Sequence, residues 1–193
     1  MGIPAPWNSL AAVIWVLLPA LIANALATLP RGRGPPMDFG RSWPGDGRRI
    51  LGSSKSWSGF FFGSLAAAPF GLLEAELILL APPSLQLVPS LGSSLEAALP
   101  LVLMVSFGAM IGDALGSFCK RRLGRPSGAR TLLLDQLPFV LLPIALGLLF
   151  YPTLFGSVFG SLTAILWLLV LTLGLHAGFN WIGFKVGLKK VPW

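Results

Sequence analysis

Five long apolar stretches, at about 9–29, 58–81, 97–119, 135–152 and 157–184, constrain the fold of this chain more than any other feature. Roughly 20 apolar residues cross the ~30 Å hydrocarbon core of a bilayer. Inside that core a chain has to satisfy its own backbone hydrogen bonds, which continuous helices do. The stretches therefore predict an all-α integral membrane protein, one domain over 1–193, with five transmembrane helices. Charge composition agrees: 11% of residues are charged, where a soluble domain carries about 25%. The fourth stretch is short and holds Pro138 and Pro143, so a kink or break is expected there. The fifth is long enough to tilt. The run after Asn8 lacks a basic leading region and is long enough to stay in the membrane, so no cleaved leader is expected. A single cysteine, Cys119, excludes an intrachain disulfide and a thiolate metal cage.

Charge placement sets a direction. Arg31, Arg33, Arg41, Arg48, Arg49 and Lys55 lie between stretches one and two. Lys120, Arg121, Arg122, Arg125 and Arg130 lie between three and four, and Lys185, Lys189 and Lys190 follow five. These are all fourteen Lys and Arg. With five spans the three segments share one side, which the positive-inside rule makes cytoplasmic. The N-terminus is then outside and the C-terminus cytoplasmic. The opposite side carries Glu96, with Glu74 and Glu76 near it. Two cytoplasmic loops, 30–57 and 120–134, are expected to carry function, whereas 82–96 is a plain Pro/Ser/Leu connection. A net charge of +7 placed this way points to anionic substrates or headgroups at a cell membrane, and no nucleic-acid partner is expected.

Polar groups within apolar spans are costly and tend to be functional. Asp113, Ser117 and Arg121 follow i, i+4, i+8 spacing and share a helix face, with Lys120 beside it. His176 and Asn180 on span five, and Asn24 and Thr28 on span one, repeat the spacing at similar depth, and Asp135 and Gln136 open span four. Four helices thus bring polar residues to the cytoplasmic ends, which predicts one site opening at the membrane surface. Each residue also has a purely structural reading. Asp113 can pair with Lys120 or Arg121, Asp135 can cap a helix, and His176 with Asn180, or Asn24 with Thr28, can bond between helices. The basic loops can act as topology determinants that bind anionic headgroups.

Two acids, many cations and glycine-rich loops suit phosphoryl or nucleotidyl transfer, where catalysis is mostly positioning and charge neutralisation. Carboxylates with substrate phosphates hold Mg²⁺, Arg and Lys clamp phosphoryl oxygens, and glycine lets backbone N–H groups approach phosphate. Gly47-Arg-Arg-Ile-Leu-Gly52 matches half of a Walker A pattern, but Ser53 and Ser54 follow it and no strand precedes it, so a P-loop is excluded. Asp46-Gly47-Arg48 lacks the further aspartates of the CDP-alcohol phosphotransferases. A transporter or flippase for an anionic lipid or solute is the alternative reading. It would need a polar path to both sides, and the polar residues here gather on one.

The stretch GDALGSFCKRRLGRPSGARTLLLDQLPFV, Gly112 to Val140, resembles the signature of the CTP:phosphatidate cytidylyltransferase superfamily. The matching residues are Gly112-Asp113, Ser117, Lys120-Arg121, Pro126-Ser127-Gly128 and Asp135. The Asp135-Gln136 pair, the LGSSKSWSG block at 51–59, the small size and the GLKKVPW ending resemble its archaeal branch, the CDP-archaeol synthases. Gln136-Leu137-Pro138 departs from the bacterial and eukaryotic relatives, which show Arg and a further Asp there, so fewer acids remain for a metal. The resemblance implies that CTP and 2,3-bis-O-(geranylgeranyl)-sn-glycerol 1-phosphate give a CDP-lipid and pyrophosphate. Under it, Asp113 and Asp135 are expected to hold Mg²⁺, and Lys55, Lys120 and Arg121 to neutralise phosphate. Asp38, Arg48, Arg49, Gly52, Ser117 and Gln136 are further nucleotide-contact candidates, with 38–59 folding over the nucleotide as a lid. Asn24, His176 and Asn180 are the candidates on the lipid side.

Overall fold

In the computed structural model the described residues are 6–127, 129 and 131–187, without the side chains at 6–9, 85, 132, 173, 175–177, 179 and 180. Every expected apolar stretch is helical. The helices are α1 (Pro6–Leu26), α2 (Trp57–Leu80), α3 (Leu95–Arg122), α4 (Leu132–Gln136), α5 (Pro138–Phe150), α6 (Pro152–Phe159) and α7 (Leu162–Lys185). No extended strand forms among the described residues. Two isolated antiparallel bridges, Pro36 with Ser56 and Ser42 with Arg49, pin the α1–α2 loop. Among the described residues, α2 and α3 are each long and apolar enough to cross a membrane. The bent pair Pro152–Phe159 and Leu162–Thr172 makes a third if it is one broken span, and Leu10–Leu26 and Pro138–Phe150 are shorter apolar helices.

Local chemistry sets the boundaries. Ser56 starts α2 by accepting the Gly59 N–H at 3.2 Å, and Ser94 starts α3 by accepting that of Ala97 at 3.2 Å. Both leave a first-turn donor satisfied. Glu96 in the first turn of α3 and Lys120, Arg121 and Arg122 in its last turn complement the helix dipole. That is why α3 runs to Arg122, three residues past the expected end, and lifts these cations out of the expected 120–134 loop onto a helix. The fourth stretch is broken as expected: α4 stops at Gln136 and α5 restarts with Pro138 at its first turn. The fifth stretch differs from expectation. Residues 157–159 belong to α6, and α7 begins only after Ser161, which caps it through the Ala164 N–H at 3.1 Å. The two helices meet at 83° instead of forming one tilted span.

Close backbone approach holds the bundle. A Cβ at Gly63 would collide with the Ala23 carbonyl, and one at Gly71 with Val102, which sets α2 against both α1 and α3. A Cβ at Gly112 would collide with the Pro138 carbonyl, so α3 lies antiparallel on the α4–α5 junction with no room for a methyl group. The main core joins Val13, Val16, Leu17 and Ala20 of α1 with Leu101, Val102 and Val105 of α3 and Phe139 and Val140 of α5. Phe155 of α6, fully buried, packs on the Gly147 backbone and closes the end of the bundle away from the basic loops. Near that end Glu74 is buried, with neither carboxylate oxygen hydrogen-bonded among the described residues.

Candidate active site

The helix directions bring the α1–α2 loop, the C-terminal turn of α3 and the α4 segment to one end. At that end each of the chain's four aspartates pairs with a cation: Asp38 with Arg49, Asp46 with Arg122, Asp113 with Lys55 and Asp135 with Lys120.

The α1–α2 loop is two nested pairings. The inner one bonds the Met37 N–H to the Lys55 carbonyl at 2.9 Å and the Trp57 N–H to that of Pro35 at 3.1 Å. The outer one bonds the Trp43 N–H to the Arg48 carbonyl at 2.7 Å and the Ile50 N–H to that of Arg41 at 3.0 Å. Asp38 sits between them. Its side chain is fully buried, and it accepts the backbone N–H groups of Gly40 (3.0 Å), Leu51 (3.1 Å) and Gly52 (3.0 Å) as well as the Arg49 guanidinium. Burial alone would raise its pKa. The Arg49 guanidinium and the Leu51, Gly40 and Gly52 N–H groups outweigh burial and lower it from 3.8 to about 2. Asp38, Arg49 and the Gly52 N–H are therefore committed to one another. They form the internal frame of the loop.

The inner pairing delivers Lys55 to Asp113, a partner that spacing along one helix could not reveal. Lys120, expected beside Asp113, instead pairs with Asp135 on α4, and Asp135 also accepts the Thr131 N–H at 2.7 Å. The capping reading of Asp135 and its place at the site thus hold together. Ser117 and Arg121 share the Asp113 face as the spacing predicts, at 2% and 6% exposure. Arg121 lies within reach of the Asp135 charge, but its Nε has no hydrogen-bond partner among the described residues. Gln136 is buried at the α4 end with its Oε1 unpartnered among them. Asn24 is half-buried in the last turn of α1, and Thr28 bonds back to the Ala25 carbonyl at 2.8 Å within its own chain segment. The side chains of His176 and Asn180, and residues Gly128, Arg130, Lys189 and Lys190, lie outside the described residues.

Arg48 and Arg122 interlock. Arg48 donates to the Arg122 carbonyl at 3.4 Å, and Arg122 donates to the carbonyls of Arg49 at 2.8 Å and Arg48 at 3.3 Å. Arg122 was not among the expected site residues. Three adjacent basic residues look alike in a sequence, and only the 100° step of the helix sends Lys120, Arg121 and Arg122 in three different directions.

The family described as CarS-like, CDP-archaeol synthase, matches over residues 7–193. The chain belongs to the CDP-archaeol synthase family. The CDP-archaeol synthase of Picrophilus torridus is 41% identical over 180 residues, 93% of this chain and 95% of that protein. The one from Thermococcus kodakarensis is 40% identical over 181 residues, 93% and 94% of the two chains. A solved structure described as an intramembrane enzyme for archaeal membrane lipids biosynthesis is similar with a TM-score of 0.56 and 34% identity, covering 84% of this chain and 91% of that one. As a CDP-archaeol synthase family member the chain is an enzyme, and its apolar helices and intramembrane neighbour make it a membrane protein.

Proposed function

We propose that the chain transfers the cytidylyl group of CTP to 2,3-bis-O-(geranylgeranyl)-sn-glycerol 1-phosphate, with magnesium, at the cytoplasmic face of a five-span membrane domain whose N-terminus is outside. Family membership supports the cytidylyl transfer. One observation supports the residue assignment: two lysine–aspartate pairs, Lys55–Asp113 and Lys120–Asp135, stand on adjoining segments around the buried Arg121.

The lipid phosphate is already an anion at neutral pH. One of its oxygens attacks the α-phosphorus of CTP, a new P–O bond forms, the bond to the β-phosphate oxygen breaks, and pyrophosphate leaves. No group has to remove a proton. The protein has to hold two polyanions together. Arg121, a buried cation with no ion pair of its own among the described residues, donates to phosphate oxygens. Lys55 and Lys120 can turn from their aspartates to the incoming phosphates, and Gln136 supplies an amide at the same place. Among the described residues no cluster of three metal-donor side chains forms. Mg²⁺ on a nucleotide needs only one or two carboxylates, with phosphate and water filling its shell, so Asp113 and Asp135 fit as its holders. When bound it would neutralise charge on the CTP phosphates.

The test is a membrane assay with radiolabelled CTP, magnesium and the geranylgeranyl-glycerol phosphate, scored as label in the organic phase. Label that requires all three is the expected result. No label from folded protein with intact lipid would overturn the reading. Reporter fusions after each helix test the orientation, with 30–57 and 120–134 expected inside the cell.

A further inference from the structure

We infer that Arg122 is a positioning residue for this reaction: it fixes the α1–α2 loop on the end of α3 as a wall of the site, so that Lys55 is held at Asp113. The inference rests on the proposed cytidylyl transfer and assigns a role within it.

The outer hairpin of the loop, Arg41 to Ile50, is tied to the inner pairing by the Asp38 bonds to Arg49, Leu51 and Gly52, and its contacts with α3 set where that unit rests on the bundle. Arg122 sets that position through three kinds of contact. It donates to the carbonyls of Arg49 and Arg48, pairs with Asp46 at 3.1 Å, and lies over the rings of Trp43 at 5.4 Å and Phe118 at 5.2 Å. Trp43 in turn meets Phe118 edge-on at 5.4 Å, so an aromatic side chain of the loop rests directly on α3. The contact is reciprocal. The Arg48 guanidinium bonds the Arg122 carbonyl, one of those left free at the negative end of α3. Beneath it Gly124 takes φ +74°, and a Cβ there would meet the guanidinium at 3.1 Å. A second tie lies nearer the site: Ser53 Oγ and Ser127 Oγ are 3.2 Å apart. Together these contacts tie the loop to the end of α3 at both its outer hairpin and its site-proximal turn.

A planar guanidinium can donate to two carbonyls, pair with a carboxylate and stack on a ring at once, and lysine cannot. Arg122→Ala is therefore expected to raise KM for CTP about tenfold, the scale of one charge-assisted tether, with kcat much less affected. Arg122→Lys should recover only part of that.

The deciding experiment replaces the tether. In a Cys119→Ser background, Ser53→Cys with Ser127→Cys places two thiols where the serine hydroxyls now meet. Oxidised, they should fix the loop independently of Arg122. The expected result is that oxidation returns the KM of the Arg122→Ala protein toward that of the Arg122 parent, and that reductant reverses the gain. An unchanged KM in Arg122→Ala overturns the inference. So does a raised KM that a formed disulfide leaves raised, because Arg122 would then act on substrate itself. Thiol counting scores the cross-link without reference to activity, and failure to form it would show that the loop is not docked as described. If Arg122→Ala does not accumulate, Arg122→Lys carries the same test. Absence of label transfer in the reduced parent would count against cytidylyl transfer and not against the tether.

Discussion

Asp38→Asn is the perturbation with the clearest arithmetic. The carboxylate has no exposed side-chain surface, three backbone N–H groups point at it, and Arg49 pairs with it. A pKa lowered from 3.8 to about 2 corresponds to about 2 kcal/mol of loop stability at neutral pH. Asparagine removes the charge and turns an NH₂ toward donors, so the loss should be at least of that order. Opening of the loop would then be about 30 times more frequent. Trypsin reads this directly, because Arg41, Arg48 and Arg49 lie in the loop and cleavage of a transiently open segment tracks its open population. In purified protein, cleavage at 41–49 should accelerate by about that factor, while cleavage after Lys185 on α7 stays as an internal reference. The sign of the pH dependence follows from the lowered pKa. The contribution is present above about pH 4 and is lost as pH falls from there through about 2, so amide exchange at Gly40, Leu51 and Gly52 should rise across that window in wild type and not in Asp38→Asn. Unchanged loop cleavage together with a raised KM for CTP would refute the reasoning and move Asp38 into direct contact with nucleotide.

Asp113→Asn and Asp135→Asn should each lower label transfer at least about a hundredfold while the protein stays folded, since each removes a carboxylate proposed to hold Mg²⁺ and frees a lysine; retained CTP incorporation would exclude a metal role for that acid. Gly112→Ala should cost about 1–3 kcal/mol by overpacking, read as a lower melting temperature in detergent, because a methyl group there meets the Pro138 carbonyl. Glu74→Met should raise that temperature, since it removes a buried carboxyl with no hydrogen-bond partner among the described residues; a fall would reveal a partner for Glu74.

Helices were legible because apolar runs leave little choice in a bilayer, and the break at Pro138 because proline lacks an N–H. The Asp113–Ser117–Arg121 face was legible because helical spacing is rigid. The bend before α7 left a signal that was not used: Gly160 followed by Ser161 is a stop and a cap. The frame around Asp38 left almost none. An irregular loop is built from side-chain-to-backbone bonds with no period, so the bonds that Asp38 makes with Arg49 and the Gly52 N–H could not be read from spacing. Lys55 with Asp113 was hidden for a related reason: 58 positions separate the partners, and only the inner pairing brings them together.

The four aspartate pairs also shape the field that a nucleotide meets. The four aspartates at the site end of the molecule each pair with a basic residue, and the basic residues of the α1–α2 loop and the α3 terminus outnumber them, while the three glutamates lie on helices α2 and α3. The end of the molecule that carries the α1–α2 loop and the α3 terminus is therefore net positive. Such a field steers anions over several ångströms and fades beyond a Debye length of about 8 Å at physiological ionic strength. Added salt should therefore slow capture of CTP before it disturbs the buried pairs, so the enzyme would lose its reach for substrate well before it loses its fold.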